Sequence, residues 1–333
     1  MKEKTKVLFL SHRPHRVHLN FARQINAQIK ITPFDKFIKI SKKYPFLKYL
    51  HPLISFLYSL KFKVKEKTIL VDGGSSLYIA AFLKLYYPKI KIIYLDADLF
   101  ILILNEANIA ERTFKKLILT CIDAVISVSE MNKEAASNVL NVPIEVCNPY
   151  PTKVTPLKIK RKNYGLYVGR LDPDKNIKRI LQFGLECPYF RRFIVIGDGA
   201  LKDYVEAKSK KYNKVKYLGI RKDVAKYYSQ CKFLIHIPDK DPYPCTTMEA
   251  AESGCFPIIS RGVGSKYLFD DIFIIEEPNN FTEINKRIKY ILGHEKDVGK
   301  LLKKSIPRIV NREQSLKNFK NKFKKILNNL NET

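Results

Sequence analysis

Apolar residues in this chain fall into short runs, most of them closed by a polar or glycine-containing loop. In the first half these runs are Lys6–Ser11 (KVLFLS), Thr68–Val71 (TILV), Ile90–Leu95 (IKIIYL), Ala124–Val128 (AVISV) and Ile144–Cys147. Runs this short, bounded by turn residues, predict strands buried on both faces. Between them Val17–Ile29, Leu77–Tyr87 and Glu130–Leu140 carry apolar residues at helical spacing. Strands that alternate with helices predict an α/β fold with a parallel sheet covered on both sides. The pattern breaks at Asn148–Lys162, where Pro149, Pro151 and Pro156 lead into a basic stretch, and this reads as an interdomain linker.

The alternation then restarts. Strands are predicted at Tyr164–Val168, Phe193–Ile196, Val215–Leu218, Phe233–Ile237 and Pro257–Ser260, and helices at Ile177–Leu185, Val224–Tyr228 and Thr247–Ser253. Several of these strands end in glycine or a loop, and open parallel sheets place ligand sites at such carboxyl ends. From Thr282, a plausible N-cap, the chain reads as mostly helical and basic. Phe319, Phe323, Ile326 and Leu330 share one helical face, and Asn321, Lys324 and Lys325 lie opposite. A terminal helix packed on the body is expected. The reading is an N-terminal Rossmann-like domain over 1–150, a second over 151–315, and a basic C-terminal helix over 316–333. Two domains also suit the 333-residue length.

The net charge of +29 adds a constraint that periodicity does not carry. It is shared: 23 Lys/Arg stand against 12 Asp/Glu in residues 1–150, and 38 against 20 in the rest. Such a field attracts phosphates, whether of nucleotides, nucleic acid or anionic lipid heads. General solubility and compositional bias are the bland alternative. A dedicated nucleic-acid protein is disfavoured, because no zinc knuckle, aromatic RNA-binding motif or helix-turn-helix spacing occurs. The six cysteines form no C-x-x-C pair and lie mostly in apolar runs, so reduced, buried thiols are expected rather than disulfides or a metal site. Met1–Lys6 leads straight into a strand-like run, which predicts a cytoplasmic protein. Phe46–Leu60 contains Lys48 and His51 and is too short to span a bilayer; it reads as a core or surface helix, or as an interfacial one.

Two segments can carry chemistry. In Tyr167–Ile177 (YVGRLDPDKNI), Gly169 at a strand end permits close backbone approach to a ligand. Arg170 offers a planar fork for phosphate oxygens, and Lys175 a mobile point charge near a helix start. In Asp241–Glu249 (DPYPCTTME), Glu249 stands in the first turns of a helix capped by Thr246 or Thr247. Its carboxylate either complements the helix dipole or accepts hydrogen bonds from a ribose diol.

The order of these pieces resembles the retaining glycosyltransferases of family GT4, glycosyl transferases group 1, which have the GT-B fold. The resemblance runs through Tyr164–Tyr267, in Val168–Leu171 with Lys175, Val195–Gly199, Tyr217–Gly219 and Asp241–Ile259. It is weaker earlier, in Ala124–Glu130 and Asn148-Pro149. It implies two Rossmann-like domains with parallel sheets facing a central cleft. Arg170 and Lys175 would bind the donor diphosphate and stabilise the leaving group, with no metal or other cofactor. Glu249 would hold the ribose, and Gly169, Gly197, Gly199, Cys245, Thr246 and Thr247 would line the donor site. Ile220 and Arg221 would lie near the base. Asp241 would sit near the donor sugar, where the family normally has Glu. On the acceptor side the family's glycine-rich loop is replaced by Ser11-His12-Arg13-Pro14-His15, and its usual later His by Asp96-Ala97-Asp98. Asp96 or Asp98 either orients and deprotonates the acceptor hydroxyl or caps a following segment. Gly73-Gly74 either helps close the cleft or forms a turn.

The activity implied is transfer of a sugar from a nucleotide sugar to a hydroxyl of a glycan or lipid-linked acceptor. The basic surface suits work at the inner membrane face. The rivals are a sugar-nucleotide epimerase on the same fold, a non-catalytic relative with Asp241 and the altered first loop as its marks, and a nucleic-acid-binding protein.

Overall fold

The computed structural model describes residues 6–34 and 50–332. The expectations for residues 1–5 and for the first four positions of Phe46–Leu60 lie outside the described residues.

Each predicted apolar run becomes a strand. The first compact unit holds β1 (Val7–Ser11), β2 (Gln28–Ile31), β3 (Thr68–Asp72), β4 (Lys91–Asp96), β5 (Ala124–Ser127) and β6 (Ile144–Val146). They form one parallel sheet in the order β2-β1-β3-β4-β5-β6. Its described helices are α1 (Arg16–Gln24), α2 (His51–Ser59), α3 (Gly74–Tyr86), α4 (Ile109–Leu119) and α5 (Glu130–Ser137). β1 and β3 are buried at every position, as continuous apolar runs with helices on both faces require.

The second unit, Tyr150–Asn311, repeats the plan. Its strands are β7 (Lys162–Val168), β8 (Arg192–Ile196), β9 (Val215–Tyr217), β10 (Cys231–His236), β11 (Phe256–Ser260) and β12 (Ile274–Ile275). They form a parallel sheet in the order β12-β11-β10-β7-β8-β9. The helices are α6 (Ile177–Glu186), α7 (Lys202–Lys211), α8 (Val224–Gln230), α9 (Cys245–Glu252), α10 (Phe281–Gly293) and α11 (Glu295–Ser305).

Each sheet has one place where its order reverses. In the first unit the chain leaves β1 for β2 on one side and for β3 on the other. In the second it leaves β7 toward β8 and later returns on the far side as β10. Loops leaving the sheet at such a point diverge and expose the strand ends to ligand.

Several expectations need correction. Val17–Ile29 is not one helix: α1 stops at Gln24, Asn26 turns the chain at φ 53°, and β2 follows. This edge strand has no fully buried residue, so its sequence lacks the apolar run that marks the others. Helix α4 and the largely polar α7, whose one buried residue is Val205, also escape the periodicity reading. The N-cap of α10 is Asn280, whose side chain accepts from the Glu283 amide at 3.0 Å, rather than Thr282. All six cysteines are free.

The terminal helix, α12, starts at Arg312 and belongs to the first unit. Phe319, Phe323, Ile326 and Leu330 are all buried, as their spacing predicted. The Phe319 ring stacks on Phe21 of α1, with centroids 4.3 Å apart and planes 2° from parallel. Ser315 donates to the Asn148 carbonyl at 2.7 Å, and Lys325 pairs with Glu145 at 2.6 Å.

Phe319→Ala should therefore destabilise the first unit by about 3–5 kcal/mol, the usual cost of emptying a buried aromatic site. Urea unfolding followed by circular dichroism measures it. A loss below about 1 kcal/mol would contradict this packing.

Candidate functional site

The loop after β7 begins at Gly169, and at this point the second sheet changes direction. The Gly169 amide donates to the Ile196 carbonyl at 3.1 Å, the Gly197 amide to the Gly219 carbonyl at 2.9 Å, and the Leu171 amide to the Asp198 carbonyl at 2.9 Å. These bonds lock the ends of β7, β8 and β9 together. Gly197 has φ +142°, and a side chain there would stand 1.8 Å from the Gly169 carbonyl oxygen. Only glycine lets the two strand ends cross at that distance. At Gly199 an added carbon would meet the Leu171 backbone at 2.7 Å.

Arg170 follows, half exposed, with its guanidinium forked between two acids: one nitrogen donates to Asp172 and another to Asp174 at 3.0 Å. Lys175 closes a short 3₁₀ turn (Pro173–Lys175) ahead of α6. It is not the mobile charge that its place in the sequence suggested. Its ammonium is nearly buried and lies 2.8 Å from Asp241 Oδ2 and 3.5 Å from Asp174 Oδ2. Asp241 Oδ2 also lies 2.9 Å from Nε2 of His236, the last residue of β10. The Lys175–Asp241 pair thus bridges the two loops that diverge from β7 and β10. Burial alone would raise the Asp241 carboxyl, but Lys175 and His236 outweigh it and hold it far below the ordinary carboxylate range. His236 was not singled out in the sequence. Its ring stacks on Tyr167, 6.2 Å between centroids, and its Nδ1 is buried without a hydrogen-bond partner.

Helix α9 starts at Cys245 directly after Pro244, and no side chain caps it; Thr246 and Thr247 do not take that role. Thr247 instead donates to the Pro244 carbonyl at 2.8 Å and lies 3.0 Å from Ser265 Oγ. Thr246 Oγ1 is buried and unpartnered. An uncapped helix start leaves amides and a positive partial charge for an anion. One turn on, Glu249 accepts from the Thr152 amide and from the Tyr228 hydroxyl, each at 3.0 Å. Burial raises its carboxyl above the usual range. Cys245 Sγ points to the Tyr150 carbonyl at 3.6 Å, and its thiol is pushed up by burial and by the charges of Glu249 and Asp241 on either side. Ile220 is exposed, and Arg221 makes a two-point pair with Asp223 at 2.8 and 3.0 Å. A depression of about 660 Å³ opens between Asp198, Gly219 and Ile220 and the α7 residues Lys202, Glu206 and Lys210. It does not reach Arg170, Lys175 or Asp241. The structure therefore gathers Arg170, Lys175 and Asp241 at the switch point, with Cys245 and Glu249 beside them, and sets Ile220 and Arg221 apart next to the depression.

The first unit has its own cluster where β1 and β3 part. Ser11 ends β1 and donates to Asp72 Oδ2 at 2.9 Å; Asp72 ends β3 and takes His18 Nδ1 on its other oxygen at 2.9 Å. Neither Asp72 nor His18 stood out in the sequence, because nothing local links positions 54 residues apart. His15 lies against His18, 5.7 Å between ring centroids, and its Nδ1 accepts from the Val17 amide at 3.4 Å to cap α1. His12 and Arg13 lie on the same loop, Arg13 exposed.

Of the two acids, Asp98 caps backbone, both in the segment that follows it and at the earlier start of α3, while Asp96 caps nothing. Asp98 Oδ2 accepts from the Gly74 amide at 2.7 Å, and Oδ1 accepts from the Phe100 amide at 2.9 Å and the Tyr94 hydroxyl at 3.0 Å. It holds the start of α3. Asp96 is fully buried, with one oxygen on Ser127 at 3.3 Å and the other unpartnered; burial and then the Asp98 charge push its carboxyl well up. At 0% exposure the Asp96 carboxyl presents no oxygen to a hydroxyl from solution. Gly73, at φ +79°, and Gly74, where a side chain would strike the Phe100 ring at 2.1 Å, form the tight entry to α3.

Residues 152–307 match the family model of glycosyl transferases group 1. No curated protein sequence matches the chain. Among solved structures, HepE of Anabaena in complex with UDP is similar over 97% of this chain and 100% of its own, at TM-score 0.72 and 16% identity. HepE in complex with UDP-glucose is similar over 98% and 100%, at 0.71 and 16%. Sucrose-phosphate synthase from Thermosynechococcus elongatus is similar over 84% of this chain and 79% of its own, at 0.69 and 17%. These likenesses establish the fold as that of GT-B glycosyltransferases.

Asp241→Asn tests the central pair, since it leaves the nearly buried Lys175 ammonium with only the longer contact to Asp174 at 3.5 Å among its two acids. The expected loss at pH 7 is about 3–5 kcal/mol, the range for a buried pair deprived of one partner. The Asp241 value is lowered on folding, so the stability it confers is complete above the ordinary carboxylate range, about pH 4, and fades only as pH falls toward the lowered value. Urea unfolding of both proteins between pH 4 and 8 should show a constant gap. A gap that closes within that window would contradict the geometry.

Proposed function

We propose that this chain is a glycosyltransferase of family GT4 that transfers a sugar from a nucleoside diphosphate sugar, with uridine diphosphate as carrier, to a hydroxyl of a glycan or lipid-linked acceptor. The observation that carries the reading is the cationic pair Arg170–Lys175 at the switch point of the second sheet, beside the uncapped start of α9 and inside the segment that matches the glycosyltransferase family. The UDP and UDP-glucose in the HepE structures support the choice of carrier.

Arg170 presents part of its fork to solvent, and a guanidinium has enough donors to serve a phosphate while keeping an aspartate. The α9 start supplies amides and a positive partial charge for the same diphosphate. Glu249, held by Thr152 and Tyr228, sits one turn further along and is the carboxylate that would hold the ribose. The glycine crossing at Gly197 keeps the strand ends bare of side chains. When the bond between sugar C1 and the phosphate oxygen breaks, negative charge grows on the leaving diphosphate. A fixed Lys175 and an adjacent Arg170 stabilise that charge without reorganising, which is the work a metal ion does elsewhere. Retention follows if the acceptor hydroxyl attacks the same face and gives its proton to the departing phosphate.

Asp241 differs in this scheme from the role the resemblance implies. It holds Lys175 in place, so a sugar at this point would meet a carboxylate already paired with the ammonium. In the first unit the Ser11–Asp72–His18 cluster is the polar feature best placed to bind an acceptor hydroxyl, since it lies at that sheet's own switch point.

Isothermal titration with UDP, GDP, CDP and ADP tests the donor site. UDP should bind most tightly, and Arg170→Ala should weaken it at least about tenfold, the value of a charge-assisted hydrogen bond. Asp174→Asn releases Arg170 from one of its acids and should tighten UDP binding about two- to fivefold, in line with the strength of a partly exposed ion pair. Absence of binding by every nucleotide would overturn the proposal. Proton NMR of the first product formed from a UDP-sugar reads the anomeric outcome, and an inverted product would remove the chain from the retaining class.

A further inference from the structure

Helix α2 is built inside out. Its buried positions are His51, Ser55 and Ser59, at 7%, 0% and 1% exposure, while Leu50, Leu53, Leu57 and Leu60 are 45–55% exposed. The four leucines are spaced 3, 4 and 3 residues apart, which aligns them as one stripe. The buried Ser55 hydroxyl has no hydrogen-bond partner, and Ser59 donates back to the Phe56 carbonyl of its own helix. Small polar residues turned inward and leucines turned outward oppose the usual sorting by hydrophobicity, so the outward face calls for an apolar surrounding.

The stripe is continued by a second element. His51 meets Tyr78 at 5.1 Å between ring centroids, and Phe56 meets Phe82 at 5.3 Å, so α2 and α3 run side by side in the same direction. Leu60 thus comes to the end of α3 that bears Leu85, Tyr86 and Tyr87, all exposed. Five exposed lysines border this end, Lys61, Lys63, Lys65, Lys67 and Lys89, with half-buried Glu66 among them, while the nearby Asp123 is taken up by Lys84 at 2.6 Å and Lys91 at 4.0 Å. Lys67, Lys89, Tyr86 and Tyr87 also line a depression of about 370 Å³.

We propose that α2 and the end of α3 form a membrane-docking face, which seats its leucine stripe among the acyl chains of an anionic lipid bilayer and its lysines among the headgroups. The charge decides the occupant. Leucines that lie at the level of the acyl chains, with lysines and tyrosines at the polar boundary, match the layering of a bilayer interface. A run of lysines with one acid matches anionic headgroups and would repel a second copy of the same basic face. No described helix is long and apolar enough to cross a membrane, so the attachment is peripheral. This inference does not depend on the donor site, because vesicle binding is read without nucleotide or turnover.

The experiment is flotation of the full chain with vesicles of phosphatidylcholine alone or with about 30% phosphatidylglycerol, at low and high salt. The wild type should float with the anionic vesicles at low salt and remain behind with the neutral ones. Leu53→Ser/Leu57→Ser should weaken binding about tenfold or more, and so should Lys61→Glu/Lys63→Glu, each with an unchanged melting temperature, since all four side chains are exposed. A wild type that fails to float with anionic vesicles, or a leucine variant that floats like it, would overturn the proposal. So would light scattering that shows a dimer abolished by the leucine variant without any vesicle binding, which would assign the face to a second copy.

Discussion

A parallel sheet that grows in both directions from its first strand must open at one place, because the two loops flanking that place leave in opposite directions. Both sheets here obey this constraint, one between β1 and β3 and the other between β7 and β10. Both fill the opening with a buried carboxylate. In the first unit Asp72 ties Ser11 to His18; in the second Asp241 ties Lys175 to His236. The carboxylate replaces the backbone partners that diverging loops do not supply, and it brings a charged or titratable group to the place where ligands reach strand ends.

In the second site three acids surround two cations. Arg170 and Lys175 stand against Asp172, Asp174 and Asp241, so the cations are held by acids rather than left bare. Buried charge demands this, since an unpaired ammonium at the depth of Lys175 would be expensive. The arrangement keeps the cations in place before any anion arrives and makes their acids competitors for the same donors. In the proposed reaction the cost would fall on affinity and the gain would be preorganisation, which matters most when charge develops during bond breaking.

Much of the fold was legible in local pattern. Buried parallel strands announce themselves as apolar runs, and the stripe of Phe319, Phe323, Ile326 and Leu330 announced a packed helix. What failed were elements with weak apolar content, the edge strand β2 and the polar helix α7, whose formation depends on neighbours rather than on their own composition. The Gly169–Lys175 cluster was legible as a segment too, since glycine at a forced crossing and Arg170 five residues before Lys175 lie close together in the chain. Asp96 and Asp98 were visible as residues but not as roles. Only the fold reveals that Asp98 is consumed by the start of α3 and that Asp96 is sealed in the interior.

The sequence by itself determined the alternation of strands and helices, the break near Pro149, the cationic Arg170–Lys175 segment and the basic character of the whole. All of these follow from composition and spacing within a dozen or so residues. The tertiary structure alone decided that Lys175 meets Asp241 across 66 positions, that Ser11 meets Asp72 across 61, and that α12 returns to the first unit. It also decided that the leucines of α2 face outward. The reason is physical: strand order determines which loop ends become neighbours and which face of a helix is covered, and strand order is a property of long-range packing that no local periodicity encodes.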